Sequence, residues 1–281
     1  MPVVFYSVWK CFSRESMKMI VLEKRGIRFA VVDRRSRNFL GLTEKIRRLS
    51  TLFPKTPLVI VFPEVSTTTG HKRFETKEWI RSVQPMLNRH GNAFVFFSVM
   101  ESVGSGKGLS NTGYLVAPYA FNDNPQKPVQ WKAYSKLSFS DFDARLHAFY
   151  GAEAKDIQHV GKRTSRLATA IPSVSPKLQD TWLGATFRFP RVKIGGKTVE
   201  LRVCSDVVAL NRSKADVLVI PAAGFPLPLQ AEDKESLRKS LAKNGFAVIN
   251  DHFVRGSRPR LIQLRKNRKT VRIRPIRPKR R

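Results

Sequence analysis

The chain has 281 residues, 42% hydrophobic and 26% charged, enough for one large domain or two small ones around a substantial core. Its 52 Lys and Arg against 21 Asp and Glu give a formal net charge of +31, a surface that attracts polyanions such as nucleic acid or an anionic membrane face. The two cysteines, Cys11 and Cys204, exclude a disulfide framework, and no apolar run reaches the ~18 residues of a spanning helix, so a soluble cytoplasmic protein is expected.

Residues 1–26 read as a mixed apolar and basic leader ending at Gly26. A strand follows at Arg28–Asp33, then an amphipathic helix over Leu40–Leu52 that Pro54 and Pro57 stop. Leu58–Phe62 is an unbroken apolar run, the pattern of a strand buried on both faces. A second helix is expected over Lys77–Asn88, with Pro85 inside it as a local stop, and a second buried strand over Ala93–Met100. Gly113–Pro118 and Val129–Leu137 read as shorter strands. The 145–180 stretch is poorly periodic and reads as an insertion. Strands return at Thr198–Val208 and Asp216–Ile220, a helix at Glu232–Lys243 with Asn244-Gly245 as its C-cap, and a last strand from Ala247. Alternating strands and helices predict an α/β layered domain over residues 27–257. The remainder, 258–281, holds 12 Lys and Arg and no acid, and its prolines oppose a helix, so it reads as an extended basic tail.

Several familiar chemistries are excluded. Gly104-Ser-Gly-Lys-Gly108 lacks both the first glycine and the Ser/Thr of a phosphate loop. The five histidines have no metal-pair spacing, two distant cysteines make no zinc cluster, and there is no Gly-x-Ser-x-Gly elbow, so neither a metal nor a cofactor is expected.

Three segments place a reactive side chain at the end of an apolar strand. Val59-Ile-Val-Phe-Pro-Glu64 ends in a carboxylate against an apolar wall, a setting suited to proton transfer. Trp131-Lys-Ala-Tyr-Ser-Lys-Leu137 carries Lys132 and Lys136 on one strand face. Val199-Glu-Leu-Arg-Val-Cys-Ser-Asp206 leads into a lone thiol. Taken singly, Glu64 also fits a solvated loop carboxylate, Cys204 a small buried hydrophobe, and either lysine a surface charge. Together and in order they supply a base, a cation and a nucleophile for acyl transfer.

These segments, with Asn111–Pro118 and Ala215–Pro221, make five successive blocks that resemble those of the nitrilase, or carbon–nitrogen hydrolase, superfamily, from about Arg28 to about Val254. The resemblance implies a four-layer α-β-β-α sandwich and a triad in which Glu64 is the general base, Lys136 stabilises the oxyanion and Cys204 forms a thioester. It implies a small-molecule amide, nitrile or carbamoyl substrate, no cofactor, and assembly into dimers or larger homo-oligomers. The chain departs from the family in carrying Ser205 where members place an aromatic, and in having only Asp141 and Asp143 where many carry a second Glu after the Lys.

The alternative reading is a nitrilase-like scaffold that binds rather than catalyses. Nitrilase-like domains also occur in conjugative-plasmid transfer systems, and twelve clustered cations suit nonspecific, salt-dependent association with nucleic acid. The same cations suit anionic lipid, but the tail has no aromatic residue to anchor it in a membrane interface.

Overall fold

A computed structural model describes residues 4–6, 19–32, 36–54, 56–67, 71–103, 108–118, 131–136, 189–204, 206, 214–223, 231–251, 260–264 and 271–275. The 145–180 stretch, Cys11, Asp141, Asp143 and Ser205 lie outside the described residues.

The mixed α/β architecture rests on two sheets. The first has eight strands: β1 (Val4–Tyr6), β2 (Met19–Lys24), β3 (Ile27–Val32), β4 (Leu58–Val61), β5 (His71–Lys72), β6 (Ala93–Val103), β7 (Gly108–Val116) and β8 (Trp131–Ser135). They run in the order β1-β2-β3-β4-β6-β7-β8, with β5 also paired to β6. The central β3, β4 and β6 are parallel, and both flanks are antiparallel. The second sheet has the order β14-β13-β12-β11-β10-β9, from β9 (Arg191–Ile194), β10 (Lys197–Leu201), β11 (Ala215–Pro221), β12 (Leu241–Asn250), β13 (Arg260–Leu264) and β14 (Val271–Pro275). Here β10, β11 and β12 are parallel.

The apolar runs of β3, β4 and β6 have two jobs, one for each face. Phe29, Val31, Val59, Val61, Phe94 and Phe96 meet Val199, Leu201, Val217 and Val219 of the second sheet in one core. Their neighbours Ala30, Val32, Leu58, Ile60, Val95 and Phe97 pack with two helices in another.

Those helices are α1 (Phe39–Leu52) and α2 (Arg73–His90). α1 turns Leu42, Ile46 and Leu49 inward at helical spacing, and the Asn38 side-chain oxygen caps it by accepting from the Gly41 N–H at 3.2 Å. α2 runs through Pro85, which local sequence alone reads as a stop. The buried Val83 and Leu87 on either side, and Gly91 in the left-handed conformation donating to Leu87 O at 2.8 Å, hold the last turn against the lost hydrogen bond.

Three expectations change with the fold. The 1–26 stretch read as a leader contains β2, whose Val21 and Leu22 are fully buried. The last helix, α3 (Ala231–Ser240), ends before Asn244-Gly245, which lies inside β12. There the pairing with β11 jumps from Ala215↔Leu241 to Val217↔Phe246, so this dipeptide forms an irregularity in a strand instead of capping a helix. A Cβ on Gly245 would sit 2.9 Å from Ala242 O, which accounts for the glycine. Finally, the 258–281 stretch read as an extended arm contributes β13 and β14 to the second sheet, and Leu261 and Ile262 are buried in its core. Among the described residues no helix is long and apolar enough to cross a membrane.

Candidate active site at the strand ends

Glu64 lies three residues past the end of β4. The Phe62 N–H still pairs with Phe96 O at 2.9 Å, but Pro63 has no N–H and the ladder stops there. The Glu64 N–H then crosses to the second sheet, reaching Ala222 O just after β11 at 3.4 Å. Val65 follows with φ +50°, a left-handed conformation that is unfavourable for a β-branched residue by about 1–2 kcal/mol. Two serines hold it there. The Val65 N–H donates to Ser98 Oγ at 2.9 Å, and the Ser66 hydroxyl donates to Pro63 O at 2.8 Å. This stapled turn aims the fully buried Glu64 carboxylate.

Two donors converge on one oxygen of that carboxylate. Lys136 Nζ lies 2.7 Å from Oε1 and Asn111 Nδ2 donates to the same atom at 2.8 Å. The side chains of Lys136 and Glu64 are 2% and 0% exposed, so this is a buried ion pair. Strand pairing delivers both donors. The Lys136 N–H bonds to Asn111 O at 2.7 Å, one step past the β7–β8 ladder, which puts the two residues side by side.

Lys132 does not join them. It is exposed, and its Nζ donates to Arg191 O at 2.8 Å, at the β9 end of the second sheet. The four-residue spacing places Lys132 near the start of β8 and Lys136 just past its end, so only Lys136 reaches the Glu64 cluster.

Cys204 follows β10, whose parallel pairing with β11 ends at the Arg202 N–H to Val219 O bond of 3.0 Å. The cysteine is 5% exposed and has φ +46°, and the Asp206 N–H returns to Val203 O at 3.0 Å, closing a tight turn around it. The first sheet grips this turn directly. The Val203 N–H donates to the Tyr134 hydroxyl on β8, and that hydroxyl also hydrogen-bonds the buried Asp206 carboxylate. Burial first, and the Asp206 charge second, push the Tyr134 phenol well above its ordinary value. Opposite Tyr134 in the ladder stands Gly113, where a Cβ would lie 2.7 Å from a Val203 methyl and 2.9 Å from the Tyr134 ring. Since Lys136, just past the end of β8, lies two residues beyond Tyr134, and Asn111 and Gly113 lie two apart on β7, the Cys204 turn and the Glu64 cluster share one end of the paired sheets.

Beneath the turn lies a second buried ionic group. Arg202 Nε bonds Glu200 Oε1 at 2.7 Å, with both side chains fully buried, and Arg191 pairs with the same carboxylate. The Arg202 guanidinium stacks over Phe189, whose ring meets Tyr134 edge-on at 5.3 Å. Among the described residues no group of three or more His, Cys, Asp or Glu is arranged to hold a metal ion.

No protein-family model matches the chain, and no curated protein matches it. Among solved structures it is similar to a CN-hydrolase superfamily protein from Xanthomonas campestris that carries an arsenic adduct in its active site. That likeness has a TM-score of 0.44 and 14% identity, over 77% of this chain and 71% of that one. The chain is also similar to two glutamine-dependent NAD+ synthetases. The Acinetobacter baumannii protein, in complex with ADP, gives TM-score 0.44 and 12% identity over 89% of this chain and 44% of that one. The Cytophaga hutchinsonii protein gives 0.43 and 12% over 85% and 39%. The chain therefore spans less than half the length of either synthetase.

Sequence reasoning singled out Glu64, Lys136 and Cys204 but not their supports. Asn111, Gly113, Tyr134 and Asp206 all fall inside the quoted blocks, so the signal was present without a role attached. Ser66 and Ser98 carried no signal, because the contacts that join their two loops, Ser98 Oγ to the Val65 N–H and Ser66 Oγ to the Ser98 N–H, span more than thirty residues.

Proposed function

We propose that this protein is a carbon–nitrogen hydrolase that cleaves a non-peptide amide, nitrile or carbamoyl bond through a thioester on Cys204. The observation that carries the reading is the convergence of Lys136 and Asn111 on a single oxygen of the buried Glu64, at the same end of the sheets as the Cys204 turn. The five sequence blocks support it independently. The four-layer sandwich and homo-oligomeric assembly belong to the same reading, with the helix pair, the first sheet and the second sheet as three of the layers.

For an amide the steps follow from the groups. Glu64 accepts the Cys204 thiol proton as sulfur attacks the carbonyl carbon, forming a C–S bond and a tetrahedral oxyanion. The Lys136 ammonium, held rigid by its ion pair, donates to that oxyanion with little reorganisation. Glu64 returns its proton to the departing nitrogen as the C–N bond breaks and the thioester forms. Water then gives a proton to Glu64 and attacks the thioester, and release of the carboxylic acid returns the proton to sulfur. Asn111 keeps the carboxylate oriented through both halves.

The test is a panel of amides, nitriles, N-carbamoyl and ureido compounds turned over by the purified chain. Lys136→Ala is expected to lower turnover by on the order of 10² to 10⁴, the scale of electrostatic and acid–base groups, while Lys132→Ala retains most of it. The reverse pattern, or equal loss from both, would contradict the assignment of Lys136.

A further inference from the structure

The turn that carries Cys204 belongs to the second sheet, whereas Glu64 and Lys136 belong to the first. Catalysis through the three groups requires a link that fixes one sheet's tip against the other. We propose that Tyr134 and Asp206 form that link as positioning residues, a hydroxyl–carboxylate clamp that sets the orientation of the Cys204 thiol; this inference rests on the hydrolase reading above.

The phenol oxygen accepts the Val203 N–H, the last backbone donor before the left-handed cysteine, and its proton goes to Asp206, the residue that closes the turn on the far side. One oxygen thus bridges both flanks of Cys204. Burial first, and the Asp206 charge second, raise the phenol's pKa, which favours the protonated hydroxyl that donates to Asp206. The ring cannot swing away. Phe189 meets it edge-on at 5.3 Å, and Gly113 in the facing strand leaves only the room the ring occupies.

Tyr134, in β8, also lies two residues before Lys136, which directly follows that strand. The strand that leads into the oxyanion lysine therefore also holds the nucleophile's turn, which registers groups from two sheets on one segment of chain. Without the phenol oxygen, the buried Val203 N–H and the buried Asp206 carboxylate would each lose a hydrogen bond, and the least disruptive repair is to rotate the turn. That moves sulfur without unfolding either sheet.

Tyr134→Phe deletes one oxygen, and Asp206→Ala breaks the clamp from the other side while leaving β8 intact. The readout is the second-order rate of Cys204 alkylation by iodoacetamide, in a Cys11→Ser background, with circular dichroism on each variant. Both variants are expected to alkylate about tenfold more slowly or worse, with a shifted pH profile and a fall in kcat larger than any rise in KM. Asp206→Asn, which keeps an acceptor for the phenol, should recover most of the rate. Wild-type alkylation rates and profiles in both folded variants would overturn the clamp. If Tyr134→Phe does not fold, Asp206→Ala set against Asp206→Asn decides the matter. Because alkylation needs no substrate, a wild type that hydrolyses nothing but loses thiol reactivity in Tyr134→Phe would sink the hydrolase reading and keep the clamp. A wild type that hydrolyses, and a Tyr134→Phe that matches it throughout, would do the opposite.

Discussion

The two sides of the site solve the same positioning problem by different physics. On the Glu64 side the geometry is held by charge: a buried carboxylate, a buried ammonium 2.7 Å away and an amide 2.8 Å away on the same oxygen. On the Cys204 side shape does more of the holding: a left-handed residue, a glycine with no room for a methyl, and a tyrosine that is wedged between an aromatic ring and a strand and whose hydroxyl accepts the Val203 N–H. A nucleophilic thiol needs a fixed direction, which packing and the Tyr134 hydroxyl supply together. A proton acceptor needs partners for its charge when water is excluded, and only ionic or polar side chains supply those. Each side carries one strained backbone, Val65 and Cys204, adjacent to or at the residue that matters.

The comparison is sharpest when charge is removed from one side and bulk is added to the other. Lys136→Met keeps volume but leaves the Glu64 charge buried without its ammonium partner. It should destabilise the fold by about 3–5 kcal/mol, and the double change with Glu64→Gln should recover most of that. Denaturant unfolding of the two variants reads it, and a loss under about 1 kcal/mol in the single variant would mean that this side is not held by charge. Gly113→Ala adds one methyl on the Cys204 side and no charge. Contacts of 2.7 and 2.9 Å must open, at a cost of about 1–3 kcal/mol, a smaller loss that no compensating charge can restore. A Gly113→Ala variant as stable as wild type would show that the two sheets slide freely there and that shape does not fix the turn.

What could be read from sequence divides along similar lines. Local periodicity located α1, β4 and β6, because their inward residues repeat at helical spacing or fill both faces of a strand. Charge concealed other elements. β2 ends in Glu23 and Lys24, and β13 and β14 are flanked and punctuated by arginines, so the apolar positions that bury Leu22, Leu261 and Ile262 stood out poorly against a basic background. Lys24 sets its ammonium over the Phe246 ring at 4.5 Å and donates to Gln263 at 2.9 Å, contacts between residues more than two hundred positions apart. Asn244-Gly245 carried a true signal for a left-handed residue, φ +64° at Asn244, but that conformation serves a strand irregularity as readily as a helix end. In the site, residue type and order were enough to single out Glu64, Lys136 and Cys204. The clamp was not legible, since the Val203–Tyr134 bond spans 69 residues and joins a backbone group that has no sequence signature.

The central claim is that Cys204 is an acyl-accepting nucleophile, and intact-mass spectrometry of the chain with a reactive ester tests it most directly. The account predicts one acyl adduct per wild-type chain, mapped to Cys204 and not to Cys11, absent from Cys204→Ala and much slower to form in Glu64→Gln. A folded wild type that acquires no adduct across a broad acyl panel, or an adduct that persists in Cys204→Ala, would contradict it.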